Sequence, residues 1–77
     1  MKPSGNTSTP VRAPADFGAL VRRRRKALGL SQAELAEQAN VGRRFLIELE
    51  EGKATAQLGK ALRILSMLGV SLMAFEA

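Results

Sequence analysis

The side chains in this chain that could do chemistry are mainly hydrogen-bond donors. Five consecutive basic residues, Arg22, Arg23, Arg24, Arg25 and Lys26, are followed by the pair Arg43-Arg44 and then by Lys53. A guanidinium binds planar acceptors through two parallel bonds, whereas an ammonium acts as a compact point charge. The carriers of covalent and metal chemistry are missing: the chain has no histidine and no cysteine. That removes the commonest general base, the thiolate nucleophile and any Cys/His zinc site. Asp16 is the only aspartate, and the glutamates fall mostly between positions 34 and 51. With no nucleophile–base pair, no catalytic residue, metal site or cofactor is expected.

The basic residues are unevenly placed. The net charge of the 77 residues is +5, and segments 1–15, 16–29, 30–52 and 53–77 carry +2, +4, −3 and +2. The positive field is therefore concentrated on the first predicted helix, beside an acidic central segment. Such a balance points to a polyanionic partner. A composition 45% hydrophobic and 4% aromatic fits one small domain with an aliphatic helical core. The longest uncharged run, Ile64 to Phe75, is 12 residues, short of the roughly 18 apolar residues a bilayer requires. Lys2 is not followed by an apolar stretch of secretory type, so a cytoplasmic location and no membrane association are expected.

Four helices are expected to position these groups. Residues 1–15 hold all three prolines and lack an apolar period, so they read as a flexible arm. Lys2 and Arg12 of that arm can enter a minor groove or stay solvated. Asp16 is expected to cap a helix that Gly29 ends, with Phe17, Leu20, Val21 and Leu28 on its apolar stripe. Residues 22–26 sweep more than a full turn, so they cannot all face one partner.

Ser31-Gln32-Ala33-Glu34 is a capping box, and Leu35, Ala36 and Ala39 give the next helix its apolar face. That helix stops near Ala39, before Asn40 and Gly42. A third helix is expected from about Arg43 to Glu51, with Leu46 and Leu49 inward, Phe45 on the flank, and Arg43, Arg44, Ile47, Glu48 and Glu51 around the other side. A fourth is expected from a Thr55 cap to Gly69, with Leu58, Ala61, Leu62, Leu65 and Leu68 as its core stripe. Ile64 and Met67 then form a second apolar row, more than a small core needs. The tail Val70-Ser71-Leu72-Met73-Ala74-Phe75 reads as a strand with no partner inside the chain, so pairing with a second copy or another protein is expected.

Two helices joined by a short turn behind a basic helix form a helix-turn-helix pattern. In that arrangement the first helix of the pair braces against the phosphate backbone, and the second lies in the major groove. Ser31-Gln32-Ala33-Glu34-Leu35-Ala36, Val41, Leu46, Leu49, Glu50 and Gly52 resemble the signature of the Cro/C1-type (XRE) helix-turn-helix family over residues 17–69. One departure is Asn40, where that family often has glycine. Four helices followed by an apolar segment resemble, within it, the HipB-type antitoxins.

The resemblance implies an all-α, lambda-repressor-like four-helix domain over residues 16–69, with a short C-terminal β-strand at 70–77 for dimerisation. It implies a buried ion pair between Arg25 and Glu50. It places Arg43 and Arg44 at base-reading positions, where arginine reads guanine bidentately, although one of them can instead contact phosphate. Further along the same face, Ile47 can touch a thymine methyl, and Glu48 can accept from cytosine N4 or simply exclude wrong sites. Gln32, Lys53, Arg22 and Lys26 are the phosphate candidates. Ile64, Met67, Val70, Leu72, Met73 and Phe75 are the dimer-interface candidates. The implied partners are double-stranded DNA bearing a pseudo-palindromic operator, a second copy of the chain, and a HipA-type serine/threonine kinase toxin. The alternatives are a phage-type or housekeeping repressor without a toxin, or a module whose main task is holding the toxin.

Overall fold

A computed structural model describes residues 8–53 and 57–77. Among these, four helices are present: α1 (Pro14–Ala27), α2 (Gln32–Ala39), α3 (Arg43–Glu50) and α4 (Leu58–Met67). α1 packs on α3, and α2 packs on both α3 and α4.

Local chemistry sets the helix ends. α1 begins at Pro14, inside the expected arm, where proline's missing N–H is no loss. Asp16 is therefore not its cap. It sits in the first turn and accepts from the backbone N–H groups of Arg12 and Ala13 at 3.0 and 3.1 Å. α2 has the expected capping box: Ser31 Oγ accepts from the Glu34 N–H at 3.0 Å, and the Ser31 N–H donates to Glu34 Oε1 at 2.8 Å. The proposed Thr55 cap of the fourth helix lies outside the described residues. The residue preceding α4 is Gln57, whose side chain makes no capping bond.

All four helices end alike. An N–H two or three residues past the helix reaches back to a carbonyl of the last turn, from Leu30 to Arg25, Val41 to Ala36, Lys53 to Glu48 and Val70 to Leu65. The pivot must be left-handed, and at Asn40 a non-glycine residue takes it, with φ 55° and ψ 47°. At Gly52 the need is double. Its φ is +88°, and a Cβ there would stand 2.8 Å from the Ala15 Cα.

The core is aliphatic. Val21, Leu35, Leu46, Ile64, Leu65 and Leu68 are wholly buried, with Leu20, Ala36, Ala39, Leu49 and Ala61 around them. Phe17, Val41 and Phe45 pack against this cluster from the side, as does Val11 of the arm. Gly18 of α1 lets two backbones meet: a Cβ there would press on the Leu49 carbonyl and stand 2.7 Å from the Glu50 carbonyl oxygen.

Further expectations need correction. Leu28, expected on the apolar stripe of the first helix, is 50% exposed. The buried face of α4 is Ala61, Ile64, Leu65 and Leu68, while Leu58 and Leu62 are 67% and 39% exposed. The helix is thus turned roughly 45° from the expected stripe, at 100° per residue. Ile64 belongs to the core, so it offers nothing to a dimer interface. The C-terminal β-strand is absent: no strand occurs among the described residues, and residues 70–77 are irregular. The physical reason is that no other described segment offers an edge to pair with. Val70 completes the end of α4 and packs on the core, and beyond it every residue is exposed.

Candidate nucleic-acid interface

The helix-turn-helix unit is α2, the turn 40–42 and α3, held from behind by α1. Leu46 and Leu49 bury one side of α3. The opposite side is left outward by the same period, with Arg43 and Arg44 exposed in its first turn. The Arg44 side chain is 90% exposed. Ile47 is half-buried and flanks that face.

Orientation of α3 is fixed through one carboxylate. Arg25 Nε and Nη2 donate to Glu50 Oε2 and Oε1 at 2.7 and 3.0 Å, and Arg25 Nη1 donates to the Leu30 carbonyl at 2.8 Å. Gln32 Nε2 adds a bond to Glu50 Oε1 at 3.2 Å. The hydrogen bond from Arg25 to Glu50 raises the guanidinium's pKa above its ordinary value, against the opposing effect of burial. α1, α2 and α3 thus converge on Glu50. Gln32, the expected phosphate ligand at the start of α2, is half-buried and has its amide on Glu50. An amide has two N–H donors, so this bond leaves one for another acceptor.

A second cluster lies on the exposed side. Glu48 Oε2 accepts from Arg44 Nε and from Lys53 Nζ, each at 3.3 Å. Lys53 chiefly, and Arg44 less strongly, hold the Glu48 carboxyl below its ordinary range. The structure therefore brings together three of the named candidates: one base-reading arginine, the acidic residue one turn on, and the lysine beyond the helix. Arg43 stands on the same first turn with an exposed side chain. Arg22 and Lys26 are exposed on α1.

Within the run of five basic residues, Arg23 and Arg24 each have a protein partner. Arg23 Nη2 donates to Thr9 Oγ1 at 3.2 Å. Arg24 is half-buried, and its Nε and Nη2 donate to the Leu68 carbonyl at 3.2 and 2.9 Å, closing the C-terminal end of α4. A contact between residues 24 and 68 leaves no trace in local sequence. Lys60, not singled out from sequence, lies with Nζ 5.6 Å from the centre of the Phe45 ring, linking α4 to the flank of α3. Among the described residues no helix is long and apolar enough to cross a membrane.

Known proteins share this helix-turn-helix fold. A helix-turn-helix family model matches residues 21–75, and the chain belongs to that family. A relative from Sinorhizobium fredii, named as the uncharacterized HTH-type transcriptional regulator y4mF, is 55% identical over 62 residues, covering 80% of this chain and 82% of its own. Membership makes this chain a helix-turn-helix transcriptional regulator and not an enzyme. Its fold is similar to that of a HipB variant in an O2 20mer complex, with TM-score 0.81 and 21% identity, over 92% of this chain and 99% of that one. It is also similar to a chain of a HipA-HipB-O2-O3 complex, with TM-score 0.79 and 19% identity, over 90% and 97%.

Proposed function

We propose that this chain is a sequence-specific DNA-binding repressor that acts as a homodimer in the cytoplasm and is the antitoxin of a HipBA-like operon. The observation that carries the DNA-binding part is the exposed first turn of α3. Arg43 and Arg44 stand there on a helix whose other side is buried and whose far end is pinned by Arg25. Arginine at that position reads guanine O6 and N7, each good pair contributing about 1–3 kcal/mol of discrimination. Ile47 and Glu48 add a methyl contact and an acceptor for a cytosine amino group. Gln32, Lys53, Arg22 and Lys26 supply phosphate contacts, each lowering log affinity by about 0.9 per decade of salt.

One such domain reads few bases, so a two-fold pair on a pseudo-palindrome is proposed. Leu62, Met67, Leu72, Met73 and Phe75 are exposed apolar side chains available to join the copies. The antitoxin assignment, with a HipA-type serine/threonine kinase as protein partner, rests on the fold likeness to chains solved in HipB–DNA and HipA–HipB–DNA complexes.

The test is fluorescence anisotropy on the DNA upstream of its own gene and on a scrambled duplex, at near-physiological salt. The expected gap is on the order of a thousandfold. Equal binding to both duplexes overturns the repressor. Co-purification with a kinase encoded beside the gene tests the antitoxin step separately.

A further inference from the structure

We infer that Glu48 sets the specificity of this domain by competing with DNA phosphates for Arg44 and Lys53. The inference rests on the DNA-reading assignment of α3 and adds a role that assignment does not contain.

Three observations combine. Both cations end on the same oxygen, Glu48 Oε2, at 3.3 Å each. Both are accessible, with side chains 90% and 56% exposed, so they are placed to meet an external anion. The carboxylate, 32% exposed, is itself part of the outward surface rather than of the core.

A phosphate approaching this face must take Arg44 or Lys53 from an anion that also repels it. That cost is the same for every sequence, so it lowers affinity for DNA in general. On a cognate half-site two gains offset it. Arg44 reaches a base edge, and the Glu48 carboxylate, relieved of a cation, accepts from a cytosine amino group. Where guanine or thymine takes that place, the carboxylate is left facing acceptors only. Glu48 therefore weakens wrong complexes more than right ones, which is how specificity arises from a difference of affinities. Until DNA is bound, the same contacts hold the two flexible side chains over the recognition face.

The test uses the full chain and its Glu48→Gln variant on two duplexes: one selected from a random pool by the wild-type protein, and a scramble of it. Glu48→Gln is expected to tighten binding to the scramble by about three- to tenfold and to shrink the gap between the two duplexes. It should also steepen the salt dependence on the scramble by up to about one neutralised phosphate, roughly 0.9 in slope. In an Arg44→Ala/Lys53→Ala background the tightening should shrink to the part due to direct repulsion of phosphate by Glu48, because no cation remains to be released; an undiminished tightening overturns the competition. Unchanged or weaker scramble binding by a folded Glu48→Gln protein, with the wild-type preference intact, overturns this inference and leaves the DNA-reading assignment standing. A wild-type protein that selects no sequence overturns both.

Discussion

Arg25 of α1 and Glu50 of α3 are joined by two hydrogen bonds of 2.7 and 3.0 Å, with side chains only 9% and 3% exposed. The pair couples the basic helix to the C-terminal end of α3, and Gln32 extends the link to α2. A buried pair of this kind adds little net stability over an apolar replacement, but breaking it strands a charge. Glu50→Ala is expected to cost about 3–5 kcal/mol, a large part of the total of about 5–15 kcal/mol typical of small domains. Urea denaturation followed by circular dichroism measures it. A loss below about 1 kcal/mol would mean that α3 is held by Leu46 and Leu49 alone.

Gly18 makes a second tie between the same two helices. Elsewhere, replacing a mid-helix glycine by alanine gains roughly 1 kcal/mol. Here the added methyl would meet the backbone carbonyls of Leu49 and Glu50, which cannot rotate away as a side chain could. Gly18→Ala is expected to destabilise the domain and displace α3, lowering DNA affinity together with the melting temperature. A stabilised variant would show that α1 and α3 can separate at little cost.

What could be read from sequence followed how local the physics is. The capping box at Ser31 and Glu34, the left-handed Asn40 and the inward Leu46 and Leu49 depend on neighbours within one or two turns, and the structure shows each. The facing of α4 does not. Leu58, Leu62, Ile64 and Met67 are all apolar, so periodicity admits two overlapping stripes, and only packing against the other helices selects the one with Ile64. Arg24 looked like one charge in a run of five, but its partner is a carbonyl 44 residues away. Gly18 has no sequence signal, because its requirement comes from the approach of α3. The apolar tail misled for a related reason. Residues 72, 73 and 75 have strand-like composition, but a strand is defined by a partner. The cluster of Arg44, Glu48 and Lys53 was half legible: a four-residue spacing predicts the first pair, whereas Lys53 arrives only through the left-handed turn at Gly52.

The start of α2 makes one contribution to stability depend on pH. The Ser31 N–H, with the Ser31 hydroxyl second, holds the Glu34 carboxyl below its ordinary value of 4.5. A carboxyl depressed by folding contributes stability above its unfolded value, and loses it as pH falls through its folded value. Glu34→Gln keeps an acceptor but cannot ionise. The melting temperature of wild type should exceed that of Glu34→Gln at neutral pH, and the difference should close as the pH is lowered below 4.5. A constant difference across that range would show that the carboxylate's charge is irrelevant to the cap. Ser31→Ala, which removes the other half of the box, is expected to cost about 1 kcal/mol.

Arg44 is the residue at which the proposed base reading can be tested apart from folding. Its side chain is 90% exposed, and its one protein partner among the described residues is Glu48 on the surface. Arg44→Ala should therefore leave the melting temperature within a degree or two of wild type. It should lower affinity for the preferred duplex by at least about 1 kcal/mol, and affinity for scrambled DNA by less. Equal losses on both duplexes would assign Arg44 to phosphate and leave base reading to Arg43. No loss on either would displace α3 from the groove altogether.

The tail beyond Val70 is where the proposed homodimer can be tested. Leu72, Met73 and Phe75 are 50%, 73% and 86% exposed, and Met67 on α4 is 42% exposed. Val70 itself must be kept, because its N–H closes α4 onto the Leu65 carbonyl and its side chain packs on the core. Removing residues 71–77 therefore leaves the monomer fold intact while deleting three large apolar side chains. If these side chains join the proposed homodimer, sedimentation equilibrium at micromolar concentration should show the full chain as a dimer and the truncated chain as a folded monomer. Melting temperature should then depend on protein concentration for the full chain only, since association stabilises by mass action. A truncated chain that remains dimeric would move the interface to the exposed Leu58, Leu62 and Met67 of α4, and Leu62→Gln/Met67→Gln would then be the variant that separates the copies.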